Sequence, residues 1–562
     1  MRLFRIFATG ALLLVVGASA LANDTAKSGI TAPNIDSITL GDIKSDVYFL
    51  ACDEMVGRET TRPESRIASA YARSRMERAG VKPAGENGGW YQTVKLRHRA
   101  WEETPTLSWQ ADGKTHELKY GEDFVSTGGA EASLEMDAAE VVFAGYAVND
   151  SSHSYNDIEG VDLRGKLALI MRYEPTPWMK SGRNPFSRNA YLQTKEALCR
   201  AAGAVGVLMV TAPRSLGGSD NRRQLPSPDA GDKSPPLELD LGEEQPGDES
   251  LPFFHVSIEA CDMLLGGEGE TELAQKAFDD ADFGKRPDLS GLSVKFKAKS
   301  GVVHEQDRNV AGMIKGETDE WIVFGAHHDH LGYGYFGARD ARTAMGQIHN
   351  GADDNASGVS TVLEIAEALA RSGRKPRRSF LFLTFTGEEK GLLGSEWYCR
   401  HPLIPHERVV AMINIDMIGR IDQHKLTMDG TSCSKLLDST CKEVAPLFPE
   451  LTVEFSDKPP MPASDHWPFF SLAGVPCFFP FGGVNKFMHT AEDDPETINY
   501  DDMLVIIKML YEIAWRLSES KEYADYSGPI KDSIGPDGKP RDPSAPKPVD
   551  PDEELEEEFS SR

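Results

Sequence analysis

Histidines and carboxylates recur in five short clusters between residues 325 and 489. They read Gly325-Ala326-His327-His328-Asp329-His330, Asn350-Gly351-Ala352-Asp353-Asp354-Asn355, Gly387-Glu388-Glu389, Asn414-Ile415-Asp416 and Met488-His489-Thr490-Ala491-Glu492-Asp493. Imidazoles and carboxylates in this mixture are ligands that Zn²⁺ accepts. The Glu-Glu pair leaves one carboxylate beside a ligand, where a hydrolysis needs its base.

The intervening segments say what must hold these clusters. Residues 321–326, 379–386 and 409–415 are short and almost wholly apolar, the pattern of strands buried on both faces. Each ends where His327, Glu388-Glu389 or Asp416 appears. Between the first two, Val359, Val362, Leu363, Ala366 and Leu369 recur at helical spacing, with Gly373 as a stop. Strands alternating with helices predict an α/β fold with a mostly parallel sheet flanked by helices. Such sheets carry their sites beyond the carboxyl ends of the strands.

Taken singly, each cluster has a plainer reading. His-x-Asp is usually a surface loop, Asp-Asp-Asn an N-cap, and Glu-Glu a solvated helix start. Their joint occurrence at the ends of three apolar strands favours a metal site. The set resembles the M28 family of zinc aminopeptidases over residues 300–515, with all five motifs in family order. That resemblance implies two zinc ions in an α/β domain. It assigns His327 and Asp416 to the first ion, Glu389 and His489 to the second, and Asp354 to both. Asp329 would orient the His327 imidazole, and Glu388 would be the general base. His328 and His330 are extra imidazoles and read as pocket wall. Two ions held by Asp354 would activate a water and polarise the scissile carbonyl, with Glu388 carrying the proton to the departing amine.

Further on, Ser464-Asp465-His466 invites a triad reading, but triad partners normally converge from separate segments. A loop of this kind also resembles the family, which makes Asp465 or His466 a candidate pocket-lining residue.

Length suggests more than one domain. Apolar runs at 139–146, 162–171 and 201–210 read as strand, strand and helix-to-strand, and resemble a protease-associated (PA) insertion. We place that β-rich insertion at 126–295, between metallopeptidase segments at 35–125 and 296–520. Within it, residues 226–247 are rich in Pro, Asp, Glu and Gly and predict an exposed loop, a candidate lid over the cleft. Before it, Ile67, Ala68, Tyr71, Ala72 and Met76 mark an amphipathic helix over 65–80. A last helix is predicted over 500–518, and residues 526–562 read as a disordered acidic tail.

Arg2 and Arg5 precede an apolar stretch at 6–18, and Ala20-Leu21-Ala22 is a small-x-small cleavage site. Residues 1–22 therefore read as a signal peptide, and the protein as secreted or periplasmic. No other stretch has the ~20 apolar residues of a membrane span, so no stable membrane insertion is expected. Seven cysteines do not make a disulfide scaffold, although Cys433 and Cys441 are close enough in sequence to pair. A net charge of −28 disfavours nucleic acid as a partner. The reading is a di-zinc exopeptidase acting on peptides with a free N-terminus, its oligomeric state open. Carboxypeptidase or dipeptidase chemistry would keep the same ligands, and a glutaminyl-cyclase-like acyl transferase would use a single zinc.

Overall fold

The computed structural model describes residues 29–526 apart from 112, 127–132, 179–186, 217–232, 243–250 and 523. The expected signal peptide, the acidic tail beyond Tyr526 and both ends of the 226–247 segment lie outside the described residues.

Four strands, Ser379–Phe385, Trp321–His327, Val409–Asn414 and Cys477–Phe481, lie side by side and parallel at the centre of a ten-stranded sheet. Every residue of the first three is buried, as their unbroken apolar runs require. Alternation divides them between two cores. Ile322 and Phe324 face the helices Leu40–Leu50, Pro63–Ala79, Gly358–Arg371 and Tyr500–Glu519. Trp321 and Val323 face Leu393–Arg400 and His466–Ser471. The helix predicted at 65–80 runs from Pro63 to Ala79 and stops at Gly80, whose φ of 96° needs no Cβ.

Outside this centre the sheet is mixed, which departs from the mostly parallel expectation. Ser300–Ile314 runs antiparallel to both Ser379–Phe385 and Tyr91–Trp101. The reason is topological. The chain leaves the sheet at Trp101 and returns at Ser300 directly opposite it, so the two strands form a ribbon. On the far side, Lys425–Asp429 is antiparallel to Cys477–Phe481.

The excursion between Trp101 and Ser300 builds a second, eight-stranded sheet with its own apolar clusters. Leu134–Phe143, Leu167–Met171, Gly206–Val210 and Phe253–Val256 run parallel at its centre. Helices Leu192–Ala201, Ile258–Leu265 and Glu270–Asp279 add to it. Its first strands are Thr106–Ala111 and Lys114–Leu118, ahead of residue 126 where the insertion was expected to begin. No helix among the described residues is long and apolar enough to cross a membrane.

Candidate metal centre

The central strands deliver the chemistry at their carboxyl ends. His327 closes its strand, Glu388 and Glu389 occupy the turn after Phe385, and Asp416 follows Asn414 by two residues. Asp354 sits in the tight loop Ala352–Ser357 that leads into the helix Gly358–Arg371. Asn355 takes the capping role there. Its Oδ1 accepts from the Gly358 amide at 2.9 Å, and its Nδ2 donates to the Ile415 carbonyl at 2.8 Å. Asp354 is thereby left free for the site. Gly351 permits the loop's closeness, because a Cβ there would lie 2.2 Å from the Asp354 carbonyl oxygen.

Two sets of side-chain atoms converge, and Asp354 belongs to both. His327 Nε2 lies 3.3 Å from Asp354 Oδ1 and 3.4 Å from Asp416 Oδ1. His489 Nε2 lies 3.1 Å from the other oxygen, Asp354 Oδ2, and 3.2 Å from Glu389 Oε2. Atoms bound tetrahedrally at ~2.0 Å to one zinc are spaced about 3.3 Å apart. The spacing therefore fits ligands around a common ion. His327 Nε2 and Asp416 Oδ1 are buried and make no hydrogen bond, which is costly unless something else satisfies them. Glu388 stands close by, its Oε2 3.9 Å from His327 Nε2, and its side chain is 12 % exposed.

Each of these groups is held from behind. The carbonyl of Asp329 lies 3.1 Å from His327 Nδ1, nearer than the Asp329 carboxylate at 3.8 Å. This corrects the expected role of Asp329, whose backbone rather than side chain meets the imidazole. The carboxylate instead accepts from Thr60 Oγ1 at 2.7 Å and from the Glu388 amide at 3.2 Å, so it fixes the turn that carries the candidate base. His330 is also more than pocket wall, with its Nδ1 2.6 Å from Glu389 Oε1. His328 is buried against Thr384. Ser464 donates to Asp416 Oδ2 at 2.7 Å. His489 Nδ1 lies 3.1 Å from the Gly337 carbonyl. Asp493, paired with Arg420 at 2.8 Å, accepts from the amides of Asp353 and Asp354.

Burial and mutual charge set the proton affinities. Burial pushes the Glu388 carboxyl well above the usual carboxylate range, against the pull of His327 and with reinforcement from Glu389 and Asp416. Burial would also raise Glu389, but His489 and His330 outweigh it and hold the group at about 2. Glu389 in turn lifts His489 to about 12.

Other expectations fail on geometry. His466 Nε2 meets the Met461 carbonyl at 2.7 Å and Ser464 serves Asp416, so the Ser-Asp-His run is no triad. Asp465 and His466 are both fully buried. Cys433 contacts the Cys477 carbonyl rather than Cys441, and no disulfide links any of the seven cysteines among the described residues.

Arg58 was not legible in the sequence at all. Its guanidinium donates to the carbonyls of His328 at 2.9 Å, Asn350 at 2.6 Å and Gly351 at 2.9 Å, tying together two of the ligand-bearing loops. The Gly337 contact to His489 was likewise invisible, because a carbonyl acceptor has no residue type to betray it.

Imidazole and carboxylate sets sharing one aspartate, at the carboxyl ends of parallel strands, form a candidate metal centre in an α/β domain. The model of Peptidase family M28 matches residues 309–514, and this segment is an M28 peptidase domain. Leucine aminopeptidase 1 of Penicillium rubens is 28 % identical over 224 residues, 37 % of this chain and 56 % of that protein. A probable glutamate carboxypeptidase of Zea mays is 31 % identical over 266 residues, 43 % of this chain and 34 % of that one. The chain thus spans about half the length, or less, of these curated relatives. Among solved structures, the aminopeptidase of Aneurinibacillus sp. strain AM-1 superposes with a TM-score of 0.52 at 19 % identity. That match covers 88 % of this chain and 98 % of the other. A zinc aminopeptidase of Bacillus subtilis gives 0.52 at 17 % identity, over 86 % and 96 %. These two likenesses establish the shared fold.

Proposed function

We propose that the chain is a secreted or periplasmic di-zinc aminopeptidase that removes N-terminal residues from peptides. One observation carries this reading: Asp354 turns a different carboxylate oxygen to each of two ligand sets, while Glu388 stands beside them. His327, Asp354 and Asp416 would hold one ion, and Asp354, Glu389 and His489 the other. Zinc bound there supplies an acidified water and a polarised scissile carbonyl. Glu388 accepts the proton of the attacking water and returns it to the departing amine, a shuttle favoured by a raised pKa. Asp329 keeps that carboxylate in place through the Glu388 amide.

The names of the relatives in Penicillium and Bacillus support aminopeptidase over the other exopeptidase chemistries. We assign the excursion between Trp101 and Ser300 to a PA-like insertion, in keeping with its separate sheet and core, and residues 1–22 to a cleaved signal peptide. Sequencing the exported protein tests the last point, with Asn23 as the expected first residue.

The reaction is tested with paired aminoacyl substrates, one with a free α-amine and one N-acetylated. Cleavage restricted to the free amine is expected. Cleavage from a free C-terminus would make the protein a carboxypeptidase, and cyclisation of N-terminal Gln would make it a transferase.

A further inference from the structure

The second domain reaches back into the first. Between its Gly206–Val210 and Phe253–Val256 strands, the described segment 233–242 crosses to the ten-stranded sheet. There Glu238 and Leu239 pair antiparallel with Arg97 and Leu96, adding an edge strand. Leu237 and Leu239 bury against Leu393 and Trp397, on the helix that follows the Glu388-Glu389 turn.

At the near end of this strap lies a buried ammonium. The Lys390 side chain is 3 % exposed and follows Glu389 directly. A buried lysine must be paired, and Lys390 Nζ meets Ser234 Oγ at 2.5 Å, Glu59 Oε1 at 3.2 Å and the Pro235 carbonyl at 3.4 Å. Ser234 Oγ also donates to Glu59 Oε1. Glu59 adjoins Arg58 and Thr60, which hold the His328 carbonyl and the Asp329 carboxylate. The turn itself is wound tightly, since the Glu388 carbonyl accepts from the amides of Gly391 and Leu392, both at 2.9 Å. Movement of Lys390 therefore moves Glu388.

We propose that Lys390, Glu59 and Ser234 form a clasp through which the second domain sets the position of Glu388 and Glu389. Lys390 is a positioning residue, and the strap is its support. The catalytic part of this inference rests on the reaction proposed above; the mechanical part does not. Ser234 belongs to the other domain and touches neither ligand set, so its effect on the turn is transmitted through Lys390 and Glu59.

The test uses the full chain with Ser234→Ala, Lys390→Met, the double substitution and Lys390→Arg. Ser234→Ala removes one hydroxyl and keeps the Lys390–Glu59 pair, so the fold is retained. Each of the first two is expected to lower kcat about tenfold or more with little change in KM. The double should fall no further than Lys390→Met, because both act on one linkage, and Lys390→Arg should recover part of the loss. Independently of activity, amide hydrogen exchange at residues 387–392 in metal-free protein should rise when Ser234 is replaced. Unchanged exchange at the turn in Ser234→Ala, or kcat losses that add, would overturn the clasp. If the wild type hydrolyses no free-amine substrate, the proposed reaction fails while the exchange measurement still decides the clasp.

Discussion

Two regions of this molecule bury several charges, and they dispose of them in opposite ways. In the second domain, Asp157 accepts from the Tyr146 amide at 2.6 Å, the Val148 amide at 2.7 Å and the Tyr155 hydroxyl at 3.2 Å. Lys195 donates to the Tyr146 carbonyl at 2.5 Å. That cluster is closed by its own backbone. At the ends of the central strands, His327 Nε2, Asp416 Oδ1 and His330 Nε2 are buried with no hydrogen bond, although every one of these side chains is anchored at another atom. A cluster whose members are fixed from behind and unpaired in front is built to receive something. The closed cluster is architecture, and the open one is a site.

If that contrast is right, substitutions in the two regions separate chemistry from stability. Glu388→Gln should have the largest effect on turnover, lowering kcat by about 10²–10⁴-fold with metal content unchanged. Equal loss of metal would show that Glu388 is a ligand rather than the base. Asp157→Asn should do the reverse. An amide there sets an NH₂ group against one of two backbone donors and leaves Lys195 short of a counter-charge. The unfolding free energy should drop by about 3–5 kcal/mol, measured in urea, while the folded fraction keeps its metal and its kcat.

A gentler probe is Ser464→Ala, which frees Asp416 Oδ2 from its 2.7 Å contact. Metal affinity should weaken by roughly 10–100-fold in a chelator competition, with stability little altered. The smallest effect concerns a third charge cluster, where Arg75 pairs with Asp46, Glu364 and Glu367. One guanidinium cannot fully serve three carboxylates, and burial pushes Glu364 up to about 7. The folded state then holds this proton more tightly than the unfolded chain does. Its contribution to stability is complete below the unfolded pKa and is lost as pH rises through about 7. Glu364→Gln should flatten the fall in unfolding midpoint between those limits, and an unchanged slope would refute the assignment.

The reach of the sequence followed the same division. The five candidate ligands and the candidate base stood in contiguous motifs at the ends of apolar runs, and their separate roles were legible only as what the family resemblance implies. His330 was in view but misjudged, because its 2.6 Å approach to Glu389 depends on the turn after the neighbouring strand. Arg58 and the Gly337 carbonyl act through backbone groups far away in the chain, and such contacts leave no local pattern. The ribbon of Tyr91–Trp101 with Ser300–Ile314 was hidden for a related reason, since its strands are separated by the whole second domain. For the same reason, the boundary of that domain was misplaced toward residue 126, past its first strands.

The central claim is that Asp354 joins two metal positions, and calorimetric titration of zinc into metal-free protein tests it most directly. Wild type should bind two zinc ions per chain, and Asp354→Asn should lose tight binding at both positions together. A single zinc in the wild type, or an Asp354→Asn variant that gives up one ion and keeps the other at full affinity, would contradict a shared aspartate at the centre of the site.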